Sequence, residues 1–467
     1  MDANFVGRKR ELAALEREWK EERGAFVPIY GRRRVGKSEL ILQFLHGKRG
    51  LYYVGKRVPP ALQVREFLRA ASEALGEPLL AEHPADGWSQ ALRLVEERWK
   101  GAGKFILAFD EFQWVAEASP ELPSILQEAW DRRWKNGGCM LILCGSYIGF
   151  MEREVLGQRS PLFGRRTAQI FLRPFGFAEA ARFHPGYSRL DQARVAFICG
   201  GVPLYLRCFS RDRSVEQNIA AALFEETGPL VREAEFLLRE ELREVANYHS
   251  VLLALAAGSA TPSAISKVTG LDQRALQFYL STLREIGYVQ RRHPLTETVP
   301  SVRVVRYALE DPLLCFWFRF VFPNLGRIAV LGSERAVQQL VQPQFEAFSG
   351  HAFERLCRDA LPSLYVREGV AAAFEIGEYW DHETQIDLVG LRKDNWTDLG
   401  ECKWTTVRSP KALRIELMQR AARFPNKRSA TLGLRYFTRT AVKPPPDPAL
   451  HERWHCLEEL YSSADAP

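Results

Sequence analysis

The stretch Ile29-Tyr30-Gly31-Arg32-Arg33-Arg34-Val35-Gly36-Lys37-Ser38-Glu39-Leu40 decides how this chain is read. It contains Gly31-x-x-x-x-Gly36-Lys37-Ser38, a glycine-bounded loop that ends in a lysine and a hydroxyl. An apolar run over 25–30 leads into it, and a helical pattern over 39–45 follows at once. Strand, loop and helix in that order form a phosphate cradle. Backbone N–H groups of Arg32, Arg33, Arg34, Val35 and Gly36 and the helix N-terminus face the phosphates, Lys37 pairs with their outer oxygens, and the Ser38 hydroxyl reaches Mg²⁺.

Nucleotide hydrolysis needs an acidic element as well, and Lys104-Phe-Ile-Leu-Ala-Phe-Asp110-Glu111 supplies it. A continuous apolar run suits a strand buried on both faces of a parallel sheet, and ligands gather at the carboxyl ends of such strands. There Asp110 would hold Mg²⁺ and Glu111 would orient or deprotonate the attacking water. A further buried strand, Cys139-Met-Leu-Ile-Leu-Cys-Gly-Ser146, ends in the polar tip Ser146.

With 467 residues the chain has room for about three domains. Its formal net charge of +7 and pI near 8.9 permit an acidic partner such as DNA without demonstrating one. Eight cysteines carry no Cys-x-x-Cys pair and no metal-ligand spacing with His, so they read as core residues of a reducing cytoplasm. The start, residues 1–10, is polar and does not open a signal peptide. The aromatic run 313–323 is short and interrupted by Arg319, so no membrane segment is expected.

Phe5-Val-Gly-Arg-Lys-Arg-Glu-Leu12, ahead of a helix over 11–21, resembles the N-terminal box of AAA+ and related signalling ATPases, which packs beside the adenine. In that group a polar residue at the position of Ser146 senses the terminal phosphate. Ser160-Pro-Leu-Phe-Gly-Arg165-Arg166, Pro174-Phe-Gly-Phe and Cys199-Gly-Gly-Val-Pro203-Leu-Tyr complete the pattern. Together they resemble the archaeal-type ATPase family, a branch near the STAND ATPases of the AAA+ group. The resemblance implies that Gly200, Gly201 and Pro203 lie in a helical lid and contact the nucleotide. It also implies that Arg165 or Arg166 reaches a phosphate, in cis or as an arginine finger in a homo-oligomer. A fixed guanidinium is the usual means of neutralising charge on a transferred phosphoryl group.

Past the lid, helices are expected over 248–257, 261–268 and 271–286, followed by short strands over 288–292 and 303–307. That order is a winged helix-turn-helix. Gln273, Arg274, Gln277, Ser281 and Arg284 would face the major groove of DNA, with Arg291, Arg292, Arg303 and Arg306 near phosphates. The alternative is a rigid spacer docked on its own chain.

From residue 345 the pattern starts afresh: a helix over 345–361, a strand over 371–378, a hairpin of 384–392 and 397–404, a helix over 410–424 and a strand over 430–438. Glu401 and Lys403, two apart on one strand, share a face, and Asp387 can face the same side from the adjacent strand. Glu354 on the first helix completes a Glu…Asp…Glu-x-Lys order that resembles the PD-(D/E)XK nucleases, and Gln419 is a weaker substrate contact. In this reading Asp387, Glu401 and the Cys402 carbonyl hold Mg²⁺ or Mn²⁺, while Lys403 orients the attacking hydroxide. The alternative is a nuclease fold that cuts nothing.

The fold class expected is therefore α/β multidomain. A P-loop AAA+ ATPase core spans 1–172, a helical lid 173–245, a winged helix-turn-helix 246–325, a linker helix 326–344, and an α/β PD-(D/E)XK nuclease-like domain 345–467. The function expected is ATP binding and hydrolysis coupled to Mg²⁺-dependent DNA cleavage. The rival is a STAND-type signalling or DNA-binding switch.

Overall fold

Strand β1 (Ala25–Tyr30) is buried at every position, as are β3 (Phe105–Asp110) and β4 (Cys139–Gly145). The reason is visible in their alternation. Ala25, Val27, Ile29, Ile106, Ala108, Met140 and Ile142 pack into the core on one face, and Phe26, Tyr30, Leu107, Phe109, Leu141 and Leu143 into the core on the other. A sheet covered on both faces leaves no polar side, so its strands read as unbroken apolar runs. The edge strands β2 (Gly50–Val54) and β5 (Ile170–Phe171) complete a parallel sheet in the order β2-β3-β4-β1-β5. Strand β2 escapes sequence reading because it is short and only alternately buried.

The computed structural model describes residues 5–99, 103–242, 244–297, 300–301, 304–446 and 451–464. It divides into two compact units, Met1–Pro174 and Phe175–Pro467. The first holds this sheet with helices α1 (Lys9–Lys20) and α2 (Lys37–Leu45). The segments expected as lid, three-helix module, linker and C-terminal domain lie together in the second.

In the second unit, helices Val245–Ala256, Pro262–Thr269 and Gln273–Glu285 are followed by an antiparallel pair, β6 (Val289–Arg292) and β7 (Arg306–Leu309). Strand β7 begins three residues later than expected, and Arg303 lies outside the described residues. The helical run Pro312–Leu331 is 20 residues long and apolar enough, by length and composition, to cross a bilayer. This corrects the expectation that the segment is too short. Its aromatic half is nonetheless buried within the unit: Leu313, Phe316, Trp317, Phe318 and Phe320 are each at most 1% exposed, and the Trp317 indole N–H donates to the Val231 carbonyl.

The long helix Gln342–Arg367 packs on a second sheet, ordered β12-β11-β10-β9-β8. Strands β8 (Phe374–Trp380), β9 (Gln385–Arg392) and β10 (Trp396–Lys403) form an antiparallel meander. Helix Pro410–Arg423 then crosses over to β11 (Thr431–Thr438), parallel to β10. Strand β12 (Glu452–Cys456) lies parallel to β11. Its sequence is polar, and only pairing with β11 makes it a strand.

Candidate nucleotide site and carboxylate cluster

Strand β4 lies between β1 and β3, so the tip of β4 falls between the glycine-bounded loop and the acidic pair. Two backbone features shape the loop. Gly36, at φ 90°, starts α2 in a left-handed conformation, and a Cβ on Gly31 would come within 2.2 Å of the Leu172 carbonyl oxygen. The Lys37 ammonium donates to the Gly31 and Arg32 carbonyls at 2.9 and 2.8 Å. Burial pulls its pKa below the ordinary lysine value, with Glu111 and Asp110 opposing the shift. A buried ammonium in a loop of backbone N–H groups suits a polyphosphate, whose charge would restore what burial disfavours. Arg8, from the opening box, is 5% exposed and donates to the carbonyls of Val35 and Arg173 at 2.9 and 2.8 Å. It ties the loop to the end of the sheet.

The acidic pair is oriented from three sides. The Tyr52 hydroxyl on β2 donates to Asp110 Oδ2 at 2.5 Å and lies within hydrogen-bond reach of Ser38. Glu111 sits in the left-handed region at φ 48°, a strained position for a residue with a side chain. Its carboxylate accepts from Ser146 Oγ at 2.9 Å and from the Gln113 amide. Ser146 therefore meets the catalytic carboxylate candidate directly. Ser38 and Asp110, the expected Mg²⁺ ligands, share Tyr52 as a neighbour, which fits them to one cation held jointly.

Of the expected phosphate-reaching arginines, Arg165 is otherwise engaged. It pairs bidentately with Asp131 at 2.9 and 2.7 Å and donates to the Pro161 and Phe163 carbonyls. Arg166 is exposed and stands near Tyr30. Gly200, Gly201 and Pro203 belong to the second unit. There Gly201 has a local reason to be glycine, since a Cβ would lie 1.8 Å from the Phe175 carbonyl oxygen. Pro203 is buried at the start of helix Pro203–Arg207.

In the second unit, the β9–β10 register runs Thr397↔Leu391 to Gly400↔Leu388, and one further step sets Asp387 opposite Glu401. Both carboxylates are buried, and the Cys402 N–H donates to Asp387 Oδ2 at 3.1 Å. Burial, then the charges of Glu401 and Glu354, push the Asp387 pKa well above the carboxylate range. Lys403 pairs with Glu401 at 2.6 Å. Burial alone would lower the Lys403 pKa, but Glu401 outweighs it and the ammonium titrates above its ordinary value. The second Glu401 oxygen accepts from Arg420 at 2.6 Å. Arg420 thus reaches the cluster from this helix, while its neighbour Gln419 is exposed. Among the described residues, no three His, Cys, Asp or Glu side chains converge closely enough to hold a metal as they stand. Asp387 and Glu354 offer oxygen donors of the kind a divalent cation takes, while both Glu401 oxygens are paired with Lys403 and Arg420.

Residues 5–207 match the family described as an ATPase domain predominantly from Archaea, and residues 317–415 match a family of archaeal and bacterial proteins of unknown function. An uncharacterized ATP-binding protein of Methanocaldococcus jannaschii is 53% identical over 45 residues, which cover 10% of this chain and 76% of that protein. The chain belongs to this archaeal-type ATPase family. A second, uncharacterized M. jannaschii protein is 27% identical over 421 residues, 88% of this ATPase and 90% of its relative. The fold of a Walker-type ATPase of Pyrococcus abyssi superposes with a TM-score of 0.51 at 20% identity, covering 68% of this chain and 96% of that one. The protein is thus an ATP-binding P-loop ATPase with a separate C-terminal α/β region.

Sequence reading of this ATPase missed Tyr52, Gln113 and Arg420. Tyr52 sits on an edge strand with no helical or acidic signature, and Arg420 is one of many arginines on helical surfaces. Gln113, two residues past Glu111, was within reach of a search around the acidic pair. The wing arginines behave differently from expectation. Arg292 pairs with Glu378 at 2.8 Å and with Glu310, and the Arg306 guanidinium lies 4.5 Å from the Trp380 ring centre. Arg292 is thus committed to carboxylates, while Arg306, beside an aromatic ring, lies on the wall of a cavity within the unit.

Proposed function

We propose that this cytosolic ATPase couples its nucleotide state to Mg²⁺-dependent cleavage of DNA by the C-terminal domain. The observation that carries the reading is the pairing of β9 with β10, whose register, carried one step past Gly400↔Leu388, sets Asp387 against Glu401, with Lys403 paired to Glu401 and the Glu354 charge raising the Asp387 pKa. In it, Asp387, Glu401 and the Cys402 carbonyl hold the cation, with Glu354 beside them, and the cation supplies Lewis acidity toward a phosphate oxygen. Lys403, fully charged, stabilises negative charge as it develops on the phosphate and keeps the attacking water in place. The three helices with their hairpin support a winged-helix reading in which exposed Gln273, Arg274, Gln277, Ser281 and Arg284 meet DNA. In the ATPase unit, Lys37 and the loop N–H groups hold the phosphates, Ser38 and Asp110 the Mg²⁺, and Glu111 the water. Arg166 is the guanidinium left to reach in from a neighbouring copy.

One observation favours a second reading. Both Glu401 oxygens are already paired, with Lys403 and Arg420. A carboxylate so neutralised also suits a nuclease fold kept as a structural module in an ATP-driven switch.

Purified protein with Mg²⁺ or Mn²⁺, offered plasmid, linear, single-stranded and branched DNA, separates the two. Cleavage that disappears in Asp387→Ala supports the nuclease. Rates measured with no nucleotide, ADP, ATP and a non-hydrolysable analogue test coupling, and four equal rates refute it. No cleavage of any form in any state leaves the switch.

A further inference from the structure

The second unit contains a cavity of about 610 Å³, within the roughly 300–1,000 Å³ that accommodates a ligand of nucleotide size. Its walls are drawn from helix Gln342–Arg367, from β7 and β8, and from the small residues between Leu255 and Ala260. Glu354 is on this wall, and so is Gln385, two residues before Asp387 on the same face of β9, so the cavity adjoins the carboxylate cluster.

The basic groups on the wall divide into two kinds. Arg292 and Arg355 are committed to Glu310, and Arg292 also to Glu378. Among the described residues, Arg306 and Arg319 have no carboxylate within ion-pair distance. The Arg306 guanidinium lies 4.5 Å from the Trp380 ring centre, and that of Arg319 lies 5.6 Å from the Phe320 ring centre. A half-buried guanidinium without a carboxylate is a ready partner for a phosphate. Opposing them, Glu378 is neutralised by Arg292 and Arg358, and burial pushes the Asp359 carboxyl above the ordinary range. His351 is hydrogen-bonded to Glu354, which favours its charged form. Aromatic and guanidinium planes with basic groups beside them are what unstacked bases and their phosphates use. An intact duplex, with grooves about 6 and 12 Å wide, cannot enter such a volume.

We propose that this cavity receives the end of a single nucleic-acid strand, one or two nucleotides deep, and presents it to the Glu354–Asp387 cluster. The proposal rests on the cleavage reading, which it narrows to single strands, overhangs or frayed ends.

The test uses full-length Asp387→Asn protein, which holds DNA without cutting it. Fluorescence anisotropy compares a labelled single strand of about 20 nucleotides, the matching blunt duplex, and a duplex with a short overhang. The expected result is affinity at least about tenfold higher for the strand and the overhang than for the blunt duplex. Adding Arg319→Ala should erase that preference, Arg319→Lys should restore part of it, and Ala260→Phe should remove it by filling the cavity. Wild-type circular dichroism and ATP binding in each variant exclude misfolding. Equal affinity for strand and duplex, or a preference untouched by Arg319→Ala and Ala260→Phe, overturns the proposal. If the unsubstituted protein cleaves duplex in that case, the cleavage reading survives alone. A strand preference that needs Arg319, without cleavage by the unsubstituted protein, upholds the cavity and refutes catalysis. Competition by the free dinucleotide pTpT as strong as that of the long strand overturns strand-end binding and assigns the cavity to free nucleotides.

Discussion

The Ser146 hydroxyl donates a 2.9 Å hydrogen bond to Glu111 Oε1, joining the tip of β4 to the carboxylate that follows β3. A residue expected to sense the terminal phosphate thus also fixes the group proposed to orient water. Ser146→Ala should lower ATP turnover about ten- to a hundredfold while nucleotide affinity changes only slightly, because the carboxylate is misplaced rather than lost. Single-turnover hydrolysis and a fluorescent-nucleotide titration read the two effects apart. Equal loss of affinity and turnover would place Ser146 on the phosphate instead.

Lys37→Ala should abolish tight ATP binding, since it removes the loop's buried cation. Glu111→Gln should bind ATP normally and stall hydrolysis. Calorimetric titration of both variants checks this pair. Wild-type affinity in Lys37→Ala with hydrolysis intact would contradict the phosphate-loop assignment.

Arg165 and Arg166 should separate. Arg165→Ala breaks a surface pair with Asp131 and should cost at most about 1 kcal/mol of stability, with turnover near wild type. Arg166→Ala should lower turnover with little change in binding. If the residue acts across subunits, mixing Arg166→Ala with Glu111→Gln should restore part of the activity. Steady-state hydrolysis of single and mixed variants decides it. Full activity of Arg166→Ala at every concentration would remove the arginine finger.

Asp387→Asn should weaken Mn²⁺ binding to the C-terminal domain. Lys403→Met should leave Mn²⁺ affinity equal to or above wild type, because it releases Glu401 Oε1, while cleavage falls by about a hundredfold. Isothermal titration with Mn²⁺ measures the first effect and a gel assay the second. Weaker metal binding in Lys403→Met would show that the lysine supports the fold of the site.

His455 is buried beside Arg435, and burial, then the Arg435 charge, lower its pKa to about 4. An unfolded chain holds its imidazole near 6.5, so it takes up the proton more readily than the folded one. The contribution to stability is whole above about pH 6.5 and declines as pH falls toward 4, by up to about 3 kcal/mol. Denaturant melts between pH 7 and 4 should show this loss, and His455→Gln should flatten it. An unchanged slope in that variant would place the acid sensitivity elsewhere, with Glu368 or Asp398 around Arg435 the next groups to test.

What the sequence determined by itself is whatever is encoded over short stretches. The loop from Gly31 to Ser38 needs its glycines where the backbone turns left-handed or meets Leu172, and its lysine at the first position of α2. The strands ending at Asp110 and Ser146 need apolar residues throughout because both faces are covered. The hairpin spacing of Asp387, Glu401 and Lys403 follows from strand alternation alone. Tertiary structure decided the rest, because partners distant in the chain carry no local signature. Only the pairing of β2 with β3 brings Tyr52 to Asp110, and only the crossover from β10 to β11 turns Arg420 toward Glu401. Arginine offers the same ambiguity throughout. Arg165 and Arg292 read in the sequence as available for phosphate, and each is claimed in the fold by a carboxylate, since a guanidinium taken out of water must find a partner.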